Sequence, residues 1–126
     1  MIIYTDGACS GNPGPMGVGA VVYKGGEILM EVSENHGEGT NNIAEYLAVR
    51  RGLEEAITLG ADAVEVRTDS RLVVRQLSGK FRIKKPHLRE LKAEIEELSE
   101  GLDVRYTWIE REKNKLADKL AKDAIR

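Results

Sequence analysis

Cysteine is nearly missing from this chain: Cys9 is the only one in 126 residues. No internal disulfide can form, which fits a reducing compartment, so a cytoplasmic location is the expectation. Histidine occurs twice, and so few thiol and imidazole ligands argue against a zinc site. No apolar run approaches the roughly 20 residues that a membrane span needs. No basic segment followed by a hydrophobic one stands at the N-terminus, so neither a membrane protein nor a secretory leader is expected. There is no GxxxxGKS/T phosphate loop and no GxGxxG dinucleotide fingerprint, and GACSG is too short and wrongly placed for either. Repeats, low-complexity tracts and linkers are also absent. At this length the chain fits a single domain, residues 1–126, built around one sizeable core.

What is present is a globular profile, 41% hydrophobic and 32% charged. The net charge of −2 conceals an asymmetry. Between Arg71 and Lys92 stand eight cations, Arg71, Arg75, Lys80, Arg82, Lys84, Lys85, Arg89 and Lys92, against Glu90 alone, a local net of +7 that leaves −9 for the rest. Clustered cations favour contact with a polyanion. A solvated helical face would carry the same charges.

The hydrophobic pattern predicts the elements in the order βββαβααβα. Residues 1–5 alternate as a strand that stops at Asp6, after which eleven positions hold four glycines and two prolines. VGAVVYKGGEILMEV reads as two strands joined at Gly25-Gly26, so the first three strands meander antiparallel. After the loop HGEGTNN, a helix is predicted from about Asn42 to Leu59, with Thr40 or Asn41 as N-cap and Gly60 as its stop. AVEVRT at 63–68 is the fourth strand. A short helix follows over 71–77, another runs from Pro86 to about Ser99, residues 102–109 form the fifth strand, and KLADKLAKDAI forms the last helix. A mixed α/β layer structure follows from this order.

Three acidic residues break the pattern of the element that carries them. On the first long helix, plotted at about 100° per residue, Val49, Gly52, Leu53, Ala56 and Ile57 share one stripe. Glu45 falls on that stripe, where a carboxylate needs a partner or a route to solvent. Asp6 and Asp69 each follow a strand, in TDG and TDS; alone, each would serve as an Asx-turn or capping residue. Asp118 flanks the apolar surface of the last helix. Together, four carboxylates on four elements make a cluster of hard oxygen ligands that repel one another without cations and suit Mg²⁺ or Mn²⁺.

YTDGACSGNPGP, TNNIAEYLAVRRGL, VRTDS and NKLADKLA resemble, in order and over nearly the whole chain, the four signature segments of type 1 ribonuclease H. The resemblance implies a ribonuclease H-like α/β fold: a five-stranded mixed sheet, three antiparallel strands then two parallel, flanked by helices. It implies an endoribonuclease that hydrolyses the RNA strand of RNA/DNA hybrids and leaves a 5′-phosphate and a 3′-hydroxyl. Asp6, Glu45, Asp69 and Asp118 become the catalytic and metal-binding set for two Mg²⁺ ions, with Mn²⁺ able to substitute. Asp6 and Asp118 would hold the ion that activates water, and Asp6, Glu45 and Asp69 the ion that stabilises the leaving oxygen.

For the substrate, the same likeness points to Asn12, Asn41 and Asn42 as readers of 2′-hydroxyls in the minor groove. Gly7, Cys9, Ser10 and Gly11 would lie close by, Thr40 would belong to a DNA-phosphate pocket, and Ser70 and Arg71 would flank the site. Lys80, Arg82, Lys84 and Lys85 lie where members of the family carry a basic protrusion. Two departures stand out. The loop WIEREKN lacks the histidine that many members place before the last aspartate, leaving Glu110, Arg111 or Glu112 to take its role, with Arg111 favoured because a cation can hold a phosphate. No separate N-terminal hybrid-binding module is seen, which implies low affinity and processivity. The implied partner is an RNA/DNA hybrid, with no membrane, and the protein is expected to be a monomer. Two alternatives remain: a nuclease of the same fold acting on DNA or structured RNA, and an inactive hybrid-binding module.

Overall fold

The computed structural model describes residues 1–79 and 82–125, so Lys80 lies outside the described residues. Its strands are β1 (Ile2–Cys9), β2 (Gly14–Lys24), β3 (Glu27–Gly39), β4 (Ala63–Thr68) and β5 (Asp103–Trp108). Its helices are α1 (Asn41–Thr58), α2 (Arg71–Leu77), α3 (Pro86–Leu98) and α4 (Lys115–Asp123), with a single 3-10 turn at Arg111–Lys113. The strands form one sheet in the order β3-β2-β1-β4-β5. β1, β2 and β3 pair antiparallel, whereas β4 runs parallel to both β1 and β5. This is the expected order and the expected mixed sheet.

Helix α1 starts where Thr40 accepts a hydrogen bond from the Ile43 amide at 3.3 Å, a side-chain cap on one of the amides that a helix leaves unpaired. Its apolar stripe covers one face of the sheet: Val49, Leu53 and Ala56 are fully buried with Ile3, Ala20 and Val66. Ile57, expected on that stripe, is 39% exposed, because the stripe leaves the sheet before the last turn. Helix α3 packs beside α1 rather than on the sheet, and Arg50 reaches Glu94 across the pair at 2.6 Å. Helix α4 covers part of the opposite face through Ala117 and Ala121. It can do so because Gly19 presents no side chain; a Cβ there would overlap the carbonyl of Ala117.

Three boundaries differ from the sequence expectation. β1 does not stop at Asp6 but continues to Cys9, with Asp6 paired to Gly19 and Cys9 to Met16. Strand β2 begins at Gly14, and β3 runs on to Gly39 through most of the segment read as a loop. The cause is shared. Gly14 and Gly17 read as breakers, but the ladder uses their backbone groups alone; a Cβ on Gly14 would overlap the Ser10 carbonyl, and α4 lies where a side chain on Gly17 would be. Asp6 is therefore held in mid-strand on one side. On its other side, the parallel pairing of β1 with β4 ends at Tyr4 and Arg67, so the strands part just before the two aspartates.

Candidate active site

The gap between β1 and β4 opens at the carboxyl ends of the parallel strands, the usual place for a ligand in an open α/β sheet. Asp6 enters it from β1 and is 7% exposed. Asp69 enters from the residue after β4 and Glu45 from the second turn of α1. One oxygen of each of these three carboxylates lies within 4.8 Å of the others. Asp118 joins from α4, hydrogen-bonded to Asp6 and paired with Lys122 one turn later at 3.0 Å.

Local chemistry explains each placement. A Cβ on Gly7 would overlap the backbone of Ala44 and Glu45, so glycine lets α1 lie against β1. The Gly7 amide then donates to the Glu45 carboxylate. Ser70 caps α2 by accepting from the Val73 amide at 3.3 Å, which fixes the turn that carries Asp69. Asn114, 1% exposed, precedes α4, and its Nδ2 donates to the Thr5 carbonyl at 2.9 Å, fastening the start of the Asp118 helix to the strand of Asp6. Its Oδ1 is buried with no hydrogen-bond partner among the described residues.

The electrostatics are those of crowded like charges. Burial, then the charge of Glu45, pushes the Asp6 carboxyl far above the usual carboxylate range, and the hydrogen bond with Asp118 and the charge of Asp69 add to this. Burial raises Glu45 to about 7 despite the Gly7 amide. Asp69 is raised by burial, against the pull of Arg111. For Asp118 burial acts in the same direction but is outweighed by hydrogen bonds from Asp6 and Lys122, so its carboxyl falls below the ordinary value. A protonated Asp6 beside an ionised Asp118 is how this corner limits its repulsion. Divalent cations would do so better, and an all-oxygen carboxylate set is the kind that hard divalent ions take.

The carboxylates line a cavity of about 530 Å³. One wall is Gly7, Cys9, Asn41 and Asn42; the other is Ser70, Trp108 and Arg111. Asn12 stands outside this wall, where its Oδ1 accepts from the Asn41 amide at 3.0 Å and ties the Gly-rich loop to α1. Ser10 and Gly11 are exposed in that loop, and Thr40 is occupied as the cap of α1. Arg71 is exposed and stacks on Trp108. Lys84 and Lys85 are exposed just before and at the start of α3, and neither lines the cavity; nor does Glu110. Three residues did not stand out in the sequence: Asn114, Trp108 and Lys122. An asparagine before a helix reads as a cap, yet its side chain caps nothing here.

This fold and this corner define a class, the ribonuclease H-like domains with a carboxylate-centred site. Residues 4–124 match the reverse transcriptase-like family. A ribonuclease H of Rhodopseudomonas palustris is 34% identical over 99% of this chain and 91% of its own. The chain belongs to the ribonuclease H family within this reverse transcriptase-like group. A ribonuclease HI of Halobacterium salinarum is 43% identical over 97% of this chain and 62% of its own. A bifunctional protein of Mycobacterium tuberculosis is 41% identical over 99% of this chain but only 35% of its own, so the chain spans about a third of that relative. The solved N-terminal RNase H domain of that protein superimposes with a TM-score of 0.95, covering 99% of this chain and 98% of that one. LC11-RNase H1, solved in complex with an RNA/DNA hybrid, is 44% identical with a TM-score of 0.93, covering 98% and 95%. Among the described residues no helix is long and apolar enough to cross a membrane.

Proposed function

We propose that this chain is an endoribonuclease that hydrolyses the RNA strand of RNA/DNA hybrids. The observation that carries this reading is the convergence of Asp6, Glu45 and Asp69 within 4.8 Å, with Asp118 bonded to Asp6, in an open cavity walled by asparagines. It is supported by relatives named ribonuclease H and by the neighbour solved with a hybrid. Asp6 and Asp118 would hold one divalent ion, and Asp6, Glu45 and Asp69 a second. Two Mg²⁺ ions held there, or Mn²⁺ in their place, would supply a water nucleophile at neutral pH and would neutralise charge at the leaving oxygen, a hydrolysis that would leave 5′-phosphate and 3′-hydroxyl ends.

The remaining roles fall to the chain's own groups. Asn41 and Asn42 offer amide donors and acceptors to 2′-hydroxyls, the groups that distinguish RNA from DNA. Asn12, bonded to the Asn41 amide, sets the distance between the Gly-rich loop and α1. Arg111, on the cavity wall near Asp69 and Asp118, takes the place of the absent histidine by holding phosphate. The protein acts as a cytoplasmic monomer.

The test is cleavage of matched RNA/DNA, RNA/RNA and DNA/DNA duplexes with Mg²⁺ and with Mn²⁺. Cutting confined to the RNA of the hybrid is expected. Cutting of duplex DNA instead would make the chain a same-fold DNA nuclease, and binding without any cutting would make it a hybrid-binding module.

A further inference from the structure

Beside the carboxylate cavity lies a second hollow of about 140 Å³, lined by Arg71, Val74, Arg75 and Trp108. Trp108 lines both, so the two hollows adjoin the same side chain. This tryptophan is 39% exposed, and its orientation is fixed: the indole N–H donates to the backbone carbonyl of Asp69 at 3.2 Å. The Arg71 guanidinium lies over the ring, 4.1 Å from its centroid. Stacking uses the flat face of a guanidinium and leaves its in-plane N–H groups free to donate, the geometry that suits a phosphate. No carboxylate lines the hollow, and no ion pair holds Arg71 among the described residues.

We propose that Trp108 and Arg71 form a phosphate-binding shelf for the strand being cut, taking a backbone phosphate that flanks the scissile one. This rests on the hybrid-cleaving reading above and deepens it. A strand whose scissile phosphate sits at the carboxylates and whose sugars face Asn41 and Asn42 leaves the cavity over Trp108. There the first fixed cation it meets is Arg71. The carbonyl that aims Trp108 belongs to Asp69, so shelf and metal-ligand position move together.

Trp108 is the only tryptophan of the chain, so its emission reports on the shelf directly. A hybrid added in EDTA, where nothing is cut, is expected to change that emission in step with binding followed by anisotropy. Arg71→Gln is expected to weaken binding roughly tenfold and to lower the salt slope by about 1. Arg71→Lys is expected to keep the slope but not the affinity, since lysine lacks the planar stack. Emission that stays flat while anisotropy saturates would overturn the proposal, as would Arg71→Gln binding with unchanged affinity and slope. Inorganic phosphate alone giving the full emission change would also overturn it, marking a site for the free ion. Cleavage by the wild type in Mg²⁺, run in parallel, separates failure of the shelf from failure of the hybrid-cleaving reading.

Discussion

Ile3 and Asp6 stand three residues apart on β1, and both are nearly sealed from water. Ile3 packs in the apolar layer under α1 with Leu53 and Val49. Polar groups in that half of the molecule are matched: the Tyr46 hydroxyl donates to Gln76, and Thr40 caps its helix. Asp6 is surrounded instead by Glu45, Asp69 and Asp118, which raise its affinity for a proton. The α1 face is arranged for stability and the carboxylate corner against it. A corner kept at such a cost needs the rigid sheet beside it, which is why Asp6 sits in mid-strand rather than in the loop that follows.

If this contrast is right, substitutions in the two regions separate activity from stability. The largest effect is expected from Asp6→Asn and Asp69→Asn, each lowering Mg²⁺-dependent hybrid cleavage by roughly a thousandfold or more while circular dichroism stays native. A native-like rate in either variant would remove that carboxylate from the chemistry. Leu53→Ala should behave in the reverse sense, losing about 2–5 kcal/mol in denaturant unfolding, with specific activity retained well below its transition. Smaller again is Arg111→Ala, expected to cost roughly tenfold in kcat/KM. Because Arg111 opposes the raised Asp69 value and helps hold Asp118 low, its loss moves the acidic limb of the rate profile to higher pH. An unshifted limb would leave Arg111 without an electrostatic role. The smallest effect is set for Lys84 and Lys85, both exposed and away from the cavity wall. Replacing both with alanine should weaken hybrid binding modestly and flatten its salt dependence by about 1–2 in slope. An unchanged slope would return the basic stretch to a solvated surface.

The two regions were also unequally legible in the sequence. The α1 face announced itself through the spacing of Val49, Leu53 and Ala56, because helical period alone decides which side chains share a face. Glu45 was visible for the same reason, as an acid on an apolar stripe. The position of Asp6 was misread because Gly7 and Gly17, which make room for α1 and α4, look like loop residues until those helices are in place. Asn114 and Trp108 were not legible at all. Their partners, the carbonyls of Thr5 and Asp69, lie 109 and 39 residues away and are backbone atoms, which leave no mark on residue type.

The contrast between the two regions is tested most directly by the melting temperature of Asp6→Asn beside the wild type, in EDTA and in Mg²⁺, from pH 5 to 8. Folding raises the proton affinity of both Asp6 and Glu45, the latter to about 7. The folded state therefore binds protons more tightly, and without cations the corner costs more stability as pH rises from about 4, through about 7 for Glu45 and on to about 10 for Asp6. The expected result is a variant that melts roughly 5 °C above the wild type in EDTA at pH 8, a gap that narrows toward pH 5, and Mg²⁺ stabilisation of the wild type alone. A variant that melts below the wild type at every pH, with Mg²⁺ without effect on either, would contradict the account and make Asp6 a structural residue.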